Sequence, residues 1–344
     1  MSDQIWQHRE IRFDVAFSQL SLRKGETLID SIPNVEDTKG NNGDRGNLLI
    51  TNLRLIWFCE ENRKINLSIG YDCVLNTEIK DTNSMIKGST QALYLRTRYQ
   101  QSRFEFIFTS IVTNSPRLFS SFQAVIRSYE TTKLYRDLKL RGAIVQDTEL
   151  ILLPKEQVFN KYGGVWNLSS EQGNLGSFYI TNVRVVWFAN LAEGFNVSLP
   201  WTQIKNIKIK ESKFGTALVL ETSDFSGNYI LGFRLENLDE VYTEITALYQ
   251  TYTQNPVFGV ECALEEVNHD IEKVTIPRVE DNIEIIDNYE MGPNLESAQY
   301  YLTAGSEKLG KKNKTSNIMF SEEIGLAVEK PPEGLTLEKL WKIL

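Results

Sequence analysis

The sequence predicts a mainly β protein made of two tandem modules, each closed by a C-terminal helix. Three observations carry this: an internal repeat, strand-length runs of β-branched and aromatic residues in both copies, and an amphipathic stretch at the end of each. Gly46-Asn47-Leu48-Leu49-Ile50-Thr51-Asn52-Leu53-Arg54-Leu55-Ile56-Trp57-Phe58 aligns with Gly176-Ser177-Phe178-Tyr179-Ile180-Thr181-Asn182-Val183-Arg184-Val185-Val186-Trp187-Phe188 at a shift of 130. The shared pattern is G-x-x-x-I-T-N-x-R-x-x-W-F. At the same shift Asn66-Leu67-Ser68-Ile69 meets Asn196-Val197-Ser198-Leu199, and at a shift of 125 Ala92-Leu93-Tyr94-Leu95 meets Ala217-Leu218-Val219-Leu220. One loop of different length accounts for the change of register.

Within the repeat, Thr-Asn marks a turn or bulge between two strands. The first copy then offers strands at Ile65 to Ile69, Val74 to Ile79, Ala92 to Arg96 and Arg103 to Phe108. The second offers Phe195 to Leu199, Ile204 to Ile209, Ala217 to Glu221 and Tyr229 to Arg234. Thr27 to Asp30 and Glu149 to Leu153 are expected to supply a first strand each, giving six or seven strands per copy.

Each copy ends in a helical pattern. Ser115 is expected to cap, with Pro116 in the first helical position and Leu118, Phe119, Phe122, Val125, Ile126 and Tyr129 on one face. In the second copy Asn237 and Glu240 suggest a capping box ahead of Leu238, Val241, Tyr242, Ile245, Leu248, Tyr249 and Tyr252. A bent antiparallel sheet plugged by one terminal helix is the pleckstrin-homology-like architecture; a β-sandwich with an accessory helix is the alternative. The expected division is 1–130 for the first barrel, 131–255 for the second, and 256–344 for an irregular acidic segment.

That segment holds all of the acidity. Residues 1–130 carry 16 basic and 15 acidic groups, 131–255 carry 12 and 13, and 256–344 carry 9 and 17, so the balances of +1, −1 and −8 give the net −8. The neutral body excludes a broad nucleic-acid footprint. Residues 256 to about 316 read as extended or disordered. Phe320 to Val328 reads as a short anchored stretch, and Thr336 can cap a last helix with Leu337, Leu340, Trp341 and Leu344 on one face. That stripe needs burial against the protein's own domains or against a partner.

With 41% hydrophobic residues and no run approaching the ~18 apolar residues of a bilayer span, the chain is expected to be soluble or peripheral. The start, Met1 to Arg12, lacks a secretory pattern, so an intracellular location is expected and the sequons at Asn66, Asn167, Asn196 and Asn313 are coincidental. Cys59, Cys73 and Cys262 are odd in number and lack metal spacing, so they are expected to be free thiols. No cofactor and no metal are expected.

Catalytic signals are sparse. His8 and His269 lie outside the modules and have no nucleophile beside them; no G-x-S-x-G elbow, phosphate loop or metal motif occurs. Gly40 to Gly46 precedes a strand and reads as a turn. The better chemical question is phosphate recognition by converging cations. Lys205, Lys208, Lys210 and Lys213 cluster along and just beyond one predicted strand, and in Ile207-Lys208-Ile209-Lys210 the isoleucines are expected to face the core and both lysines the outside. The alternative is an ordinary solvated face. Lys39 and Arg45 supply the cations of the loop after the first strand, against Glu36, Asp37 and Asp44, so this loop is a weak attractor for a polyphosphate. Arg54 and Arg184, at equivalent positions beside the Trp-Phe pair, are assigned a structural hydrogen-bonding role.

Four segments carry a family resemblance: Glu36 to Gly46 with the motif that follows, Val165 to Gly176, Ser212-Lys213-Phe214-Gly215, and Phe320 to Ala327. Together they resemble the Bardet-Biedl syndrome 5 family over essentially the whole chain. The resemblance implies two pleckstrin-homology-like domains in a non-catalytic subunit of the BBSome, a coat-like complex that carries membrane-protein cargo into and out of cilia. It further implies other BBSome subunits as partners, phosphatidylinositol 3-phosphate on a ciliary or vesicle membrane as the associated lipid, and a place at the cilium, ciliary membrane, basal body and cytoplasm. No lipid-contacting residue is carried over, because the poorly basic Ser31 to Gly46 loop departs from the usual head-group pattern.

Overall fold

The repeated motif forms the central hairpin of a curved sheet in each copy. The computed structural model describes residues 7–40, 43–112, 115–169, 173–262, 301, 318–321 and 326–329. The first module comprises β1 (Ile11–Phe13), β2 (Leu28–Asp37), β3 (Arg45–Thr51), β4 (Arg54–Cys59), β5 (Asn66–Gly70), β6 (Val74–Ser84), β7 (Gly88–Tyr99), β8 (Ser102–Ser110) and α1 (Arg117–Thr131). The second comprises β9 (Lys139–Leu140), a small hairpin of β10 (Val145–Gln146) and β11 (Glu149–Leu150), then β12 (Val158–Asn167), β13 (Asn174–Thr181), β14 (Arg184–Ala189), β15 (Ala192–Pro200), β16 (Ile204–Ser212), β17 (Gly215–Thr222), β18 (Ile230–Arg234) and α2 (Leu238–Gln254). Sheet order is β1-β5-β4-β3-β2-β8-β7-β6 and, matching it strand for strand, β9-β15-β14-β13-β12-β18-β17-β16. This is the pleckstrin-homology-like order with one additional short strand at an edge.

Every conserved element of the repeat has a physical task. β4 and β14 are buried at all positions, and after the opening arginine each is an unbroken apolar run. Trp57 Nε1 donates to the Val35 carbonyl at 2.9 Å and Trp187 Nε1 to Val165 at 3.1 Å, tying β4 and β14 to β2 and β12. A Cβ on Gly46 would lie 2.3 Å from the Phe58 carbonyl oxygen and one on Gly176 2.1 Å from that of Phe188, so only glycine fits. The motif asparagines bridge loops: Asn52 Oδ1 accepts from the Thr27 amide, and Asn182 Oδ1 from Gln157.

The motif arginines are structural, as expected, and each has a carboxylate partner the sequence reading did not single out. Arg54 Nε donates to Glu26 Oε1 at 2.8 Å and Nη2 to Oε2 at 3.1 Å, with Nη1 on Ser68 Oγ. Arg184 repeats this on Glu156 at 2.8 and 2.9 Å, with Ser198 Oγ. All four charged side chains are fully buried. Thr51 and Thr181 hydroxyls donate to the same Glu26 and Glu156 carboxylates.

Three expectations change. Glu149 to Leu153 is not the first strand of the second copy; that strand is β12, which the Gly163-Gly164 pair obscured. Gly164, with φ +72, sits at a bulge between Tyr162 and Val165, matching Asn34, with φ +58, between Ile32 and Val35. The additional strands β1 and β9 were also missed, since their sequences differ. Asn66 and Asn196 side chains hold them: Asn66 Nδ2 donates to the Val15 carbonyl and Asn196 Nδ2 to that of Gly142. Finally, the caps differ. Pro116 is the N-cap of α1 rather than its first residue, and neither Pro116 nor Asn237 caps through a side chain. Glu240 accepts from Tyr162 Oη instead.

The apolar faces are as expected: Leu118, Phe122, Val125 and Tyr129 of α1 are fully covered in the first core, and Val241 and Ile245 of α2 in the second. Between the cores, Arg136 is buried, its guanidinium 3.8 Å from the Tyr129 ring centroid and donating to the Phe258 carbonyl at 2.9 Å. Val260 joins the first core and the Phe258 ring centroid lies 6.5 Å from that of His8, so the segment after α2 returns to the first module. Apart from this body, Ile318–Ser321 and Leu326–Glu329 pair as an antiparallel hairpin, β19 and β20. No helix among the described residues is long and apolar enough to cross a membrane.

Candidate functional site

Of the four candidate lysines, Lys205, Lys208 and Lys210 lie on β16 and Lys213 in the turn between β16 and β17. Among the described residues β16 pairs only with β17, and most of its side chains are exposed. Ile207 packs partly against the core, but Ile209 is 38% exposed, which corrects the expectation that both isoleucines face inward. The reason is its place on an edge strand: Ile209 has the buried Leu218 of β17 on one side and no strand on the other among the described residues.

Acidic neighbours answer two of these lysines. Lys208 Nζ is paired with Glu221 on β17, and Lys205 with Asp224 at 3.2 Å. The hydrogen bond from Lys208 holds the Glu221 carboxyl below the usual carboxylate range, and the Glu221 carboxylate raises the Lys208 ammonium in turn. Lys213 lies with its ammonium 4.9 Å from the Phe214 ring centroid. Lys210 and Lys213 have no carboxylate within ion-pair distance among the described residues.

Of the two candidate cations of the first module, Lys39 lies in the turn between β2 and β3 and Arg45 opens β3. Lys39 is held by Glu105 at 2.8 Å and Arg45 by Glu60 at 2.7 Å. The structure therefore brings the β16 lysines together and leaves Lys39 and Arg45 apart from them on the other module, with four of the six cations paired. Register is the signal that would have found one of the acids: Asn206 opposes Glu221, which sets that carboxylate diagonal to Lys208. Leu337, Leu340, Trp341 and Leu344 lie outside the described residues.

A cleft of about 430 Å³ opens where the modules meet, lined by Arg9, Asp72, Asp137, Leu138, Phe225 and Tyr229. Its cation is engaged, since Arg9 donates to Asp137 Oδ1 at 3.0 Å, and burial raises the Asp72 carboxyl. His8 sits beside it, 1% exposed, with Nε2 accepting from Arg9 Nε at 3.0 Å; burial and the charges of Arg9 and Arg136 hold it well below its ordinary value. The three cysteines are free, and no metal-binding cluster of His, Cys, Asp or Glu occurs among the described residues.

With this geometry in place, the family models matching the chain are the Bardet-Biedl syndrome 5 protein N-terminal PH-like domain over residues 26–131 and the second PH-like domain of the same protein over 139–262. Curated relatives match end to end. The chain is 49% identical to BBSome complex member BBS5 of Mus musculus and 48% to that of Danio rerio, covering 99% of this chain and 98% of each relative. It is 41% identical to BBSome complex member bbs-5 of Caenorhabditis elegans, covering 99% and 97%. The chain therefore belongs to the Bardet-Biedl syndrome 5 protein family.

Proposed function

We propose that this chain is a non-catalytic subunit of a BBSome, acting in ciliary membrane-protein trafficking and cilium assembly at the cilium, ciliary membrane, basal body and cytoplasm. The observation that carries this is end-to-end similarity to relatives named as BBSome complex members. Residues 1–130 and 131–255 serve as two docking modules, and Leu337, Leu340, Trp341 and Leu344 form a stripe that docks on a partner subunit. Phosphatidylinositol 3-phosphate on the membrane is the proposed lipid, met by Lys205, Lys208, Lys210 and Lys213, with Lys39 and Arg45 as weaker contributors. Because acidic neighbours hold four of these six, the affinity of the isolated chain is modest, and ciliary cargo is held by the assembled complex.

Two experiments test this reading. Co-purification with the other BBSome subunits should weaken when Leu337–Leu344 is removed; unchanged assembly would eliminate the stripe, and failure of the full chain to associate would eliminate the subunit assignment. Flotation with liposomes containing phosphatidylinositol 3-phosphate should fall when Lys205, Lys208, Lys210 and Lys213 become glutamate. Retained flotation would reject the patch. Strong flotation by the free chain, together with no association with other subunits, would favour a free-standing phosphoinositide adaptor.

A further inference from the structure

One aromatic side chain from far along the sequence lies inside the first module. Tyr301 is 1% exposed; its ring centroid is 4.7 Å from that of Phe106 and 5.3 Å from that of Phe13. Its hydroxyl donates to Asp37 Oδ2 at 2.5 Å, and its backbone carbonyl accepts from the Glu105 amide at 2.8 Å. β2 pairs with β8 only over Val35–Asp37 and Phe108–Ser110, so the β8 backbone at Glu105 is left open to an added chain. Gly40 completes the wall. A Cβ there would fall 2.0 Å from the phenol, and its three nearest atoms all belong to Tyr301.

The contacts are matched to tyrosine in particular. The ring meets two aromatic side chains, the backbone adds a hydrogen bond, and the phenol ends on a carboxylate that is itself fully buried. The repeat supplies an internal comparison. Asp37 aligns with Asn167, and Glu105 and Phe106 with Ile230 and Leu231; Phe13, which pairs with Leu67, corresponds to Leu140, which pairs with Val197. The second module thus lacks the carboxylate and both rings, and its Ile230 is 67% exposed.

We propose that the first module carries an acceptor site for a tyrosine side chain of a peptide segment, built from Phe13, Asp37, Gly40, Glu105 and Phe106, and that Tyr301 is its ligand in cis. The site anchors the C-terminal portion of the chain to the first module. It rejects a phosphorylated tyrosine, because a dianion would face the buried Asp37 carboxylate.

The test titrates a labelled peptide of residues Leu295–Glu307 into the full-length chain carrying Tyr301→Ala. The peptide should bind that chain and bind wild type about tenfold more weakly or less, since Tyr301 already fills the site. Two altered peptides, one with Tyr301→Ala that keeps Tyr300 and one phosphorylated at Tyr301, should each lose about tenfold or more. Adding Gly40→Ala to the receptor chain should abolish binding. Equal binding to wild type, indifference to position 301, survival of binding in the Gly40→Ala chain, or no binding at all would overturn the proposal. Should Tyr301→Ala fail to fold, hydrogen exchange on wild type and Gly40→Ala decides: Glu105 amide exchange should rise about tenfold or more in the variant, and unchanged protection would refute the site.

Discussion

Replacing Arg54 with methionine removes one half of a buried ion pair whose other half has nowhere to go. Glu26 would keep the Thr51 hydroxyl at 2.9 Å and the Arg23 amide at 3.0 Å, but it would lose both charged hydrogen bonds from the guanidinium. Breaking such a pair from one side costs about 3–5 kcal/mol, most of it the desolvation of the stranded charge. Adding Glu26→Gln removes that charge while preserving an acceptor, so the double variant should recover about 1.5–3 kcal/mol relative to the sum of the single changes. The second module offers a matched control. Arg184 donates to one loop carbonyl, that of Ile151, where Arg54 donates to two, Leu20 and Ser21; Arg184→Met should therefore cost about 1 kcal/mol less. Hydrogen-exchange mass spectrometry reads each module separately, through peptides covering β4 and β14, and so avoids treating two modules as one transition. A single-substitution cost below about 1 kcal/mol, or additivity of the double variant, would refute the stranded-charge reasoning.

Other expected outcomes follow from geometry already described. Gly176→Ala drives a Cβ to 2.1 Å from the Phe188 carbonyl oxygen and should destabilise the second module by about 3 kcal/mol or more, read from its denaturation midpoint. Burial pushes the Cys73 thiol up to about 12, so at pH 8 an alkylating reagent should label Cys262 first and reach Cys59 and Cys73 only on unfolding, as peptide mapping can check. His8 is held neutral in the fold, so between its ordinary value of 6.5 and its lower folded value the unfolded chain binds the extra proton. Stability should therefore fall as pH drops below 6.5, by up to about 1.4 kcal/mol per pH unit from this group, and His8→Gln should flatten that slope in urea titrations.

The sequence displayed the fold where residues serve both local and tertiary demands. The Thr-Asn turn, the Trp-Phe pair and the helix stripes each carry a local pattern, and all lie where the patterns placed them. The edge strands β1 and β9 were invisible because they are three and two residues long and are held by Asn66 and Asn196, distant in sequence and disguised as sequons. Glu26 and Glu156 were equally hidden, since a carboxylate 28 residues before its arginine gives no periodic signal. The basic patch was legible as composition but not as chemistry. The charge along β16 and the turn after it shows four lysines, whereas the acids that answer two of them come from β17 and the segment after it. Tyr301 lay beyond pattern reading altogether, as its partners are spread from Phe13 to Phe106.

The charged outer strand has a further consequence for how a chain with two near-identical sheets stays properly assembled. One side of each sheet ends in the three-residue β1 or the two-residue β9, which leaves β6 and β16 as the long open margins among the described residues. An exposed margin invites a neighbouring strand to add on, and two modules in one chain sit at high mutual concentration. Lys205, Lys208, Lys210 and Glu211 on β16, and Glu78, Lys80 and Asp81 on β6, place desolvation costs in the path of any such pairing. On this account the lysines would persist even in a chain that never touched a membrane, because they keep the two sheets from fusing and separate molecules from stacking into fibres.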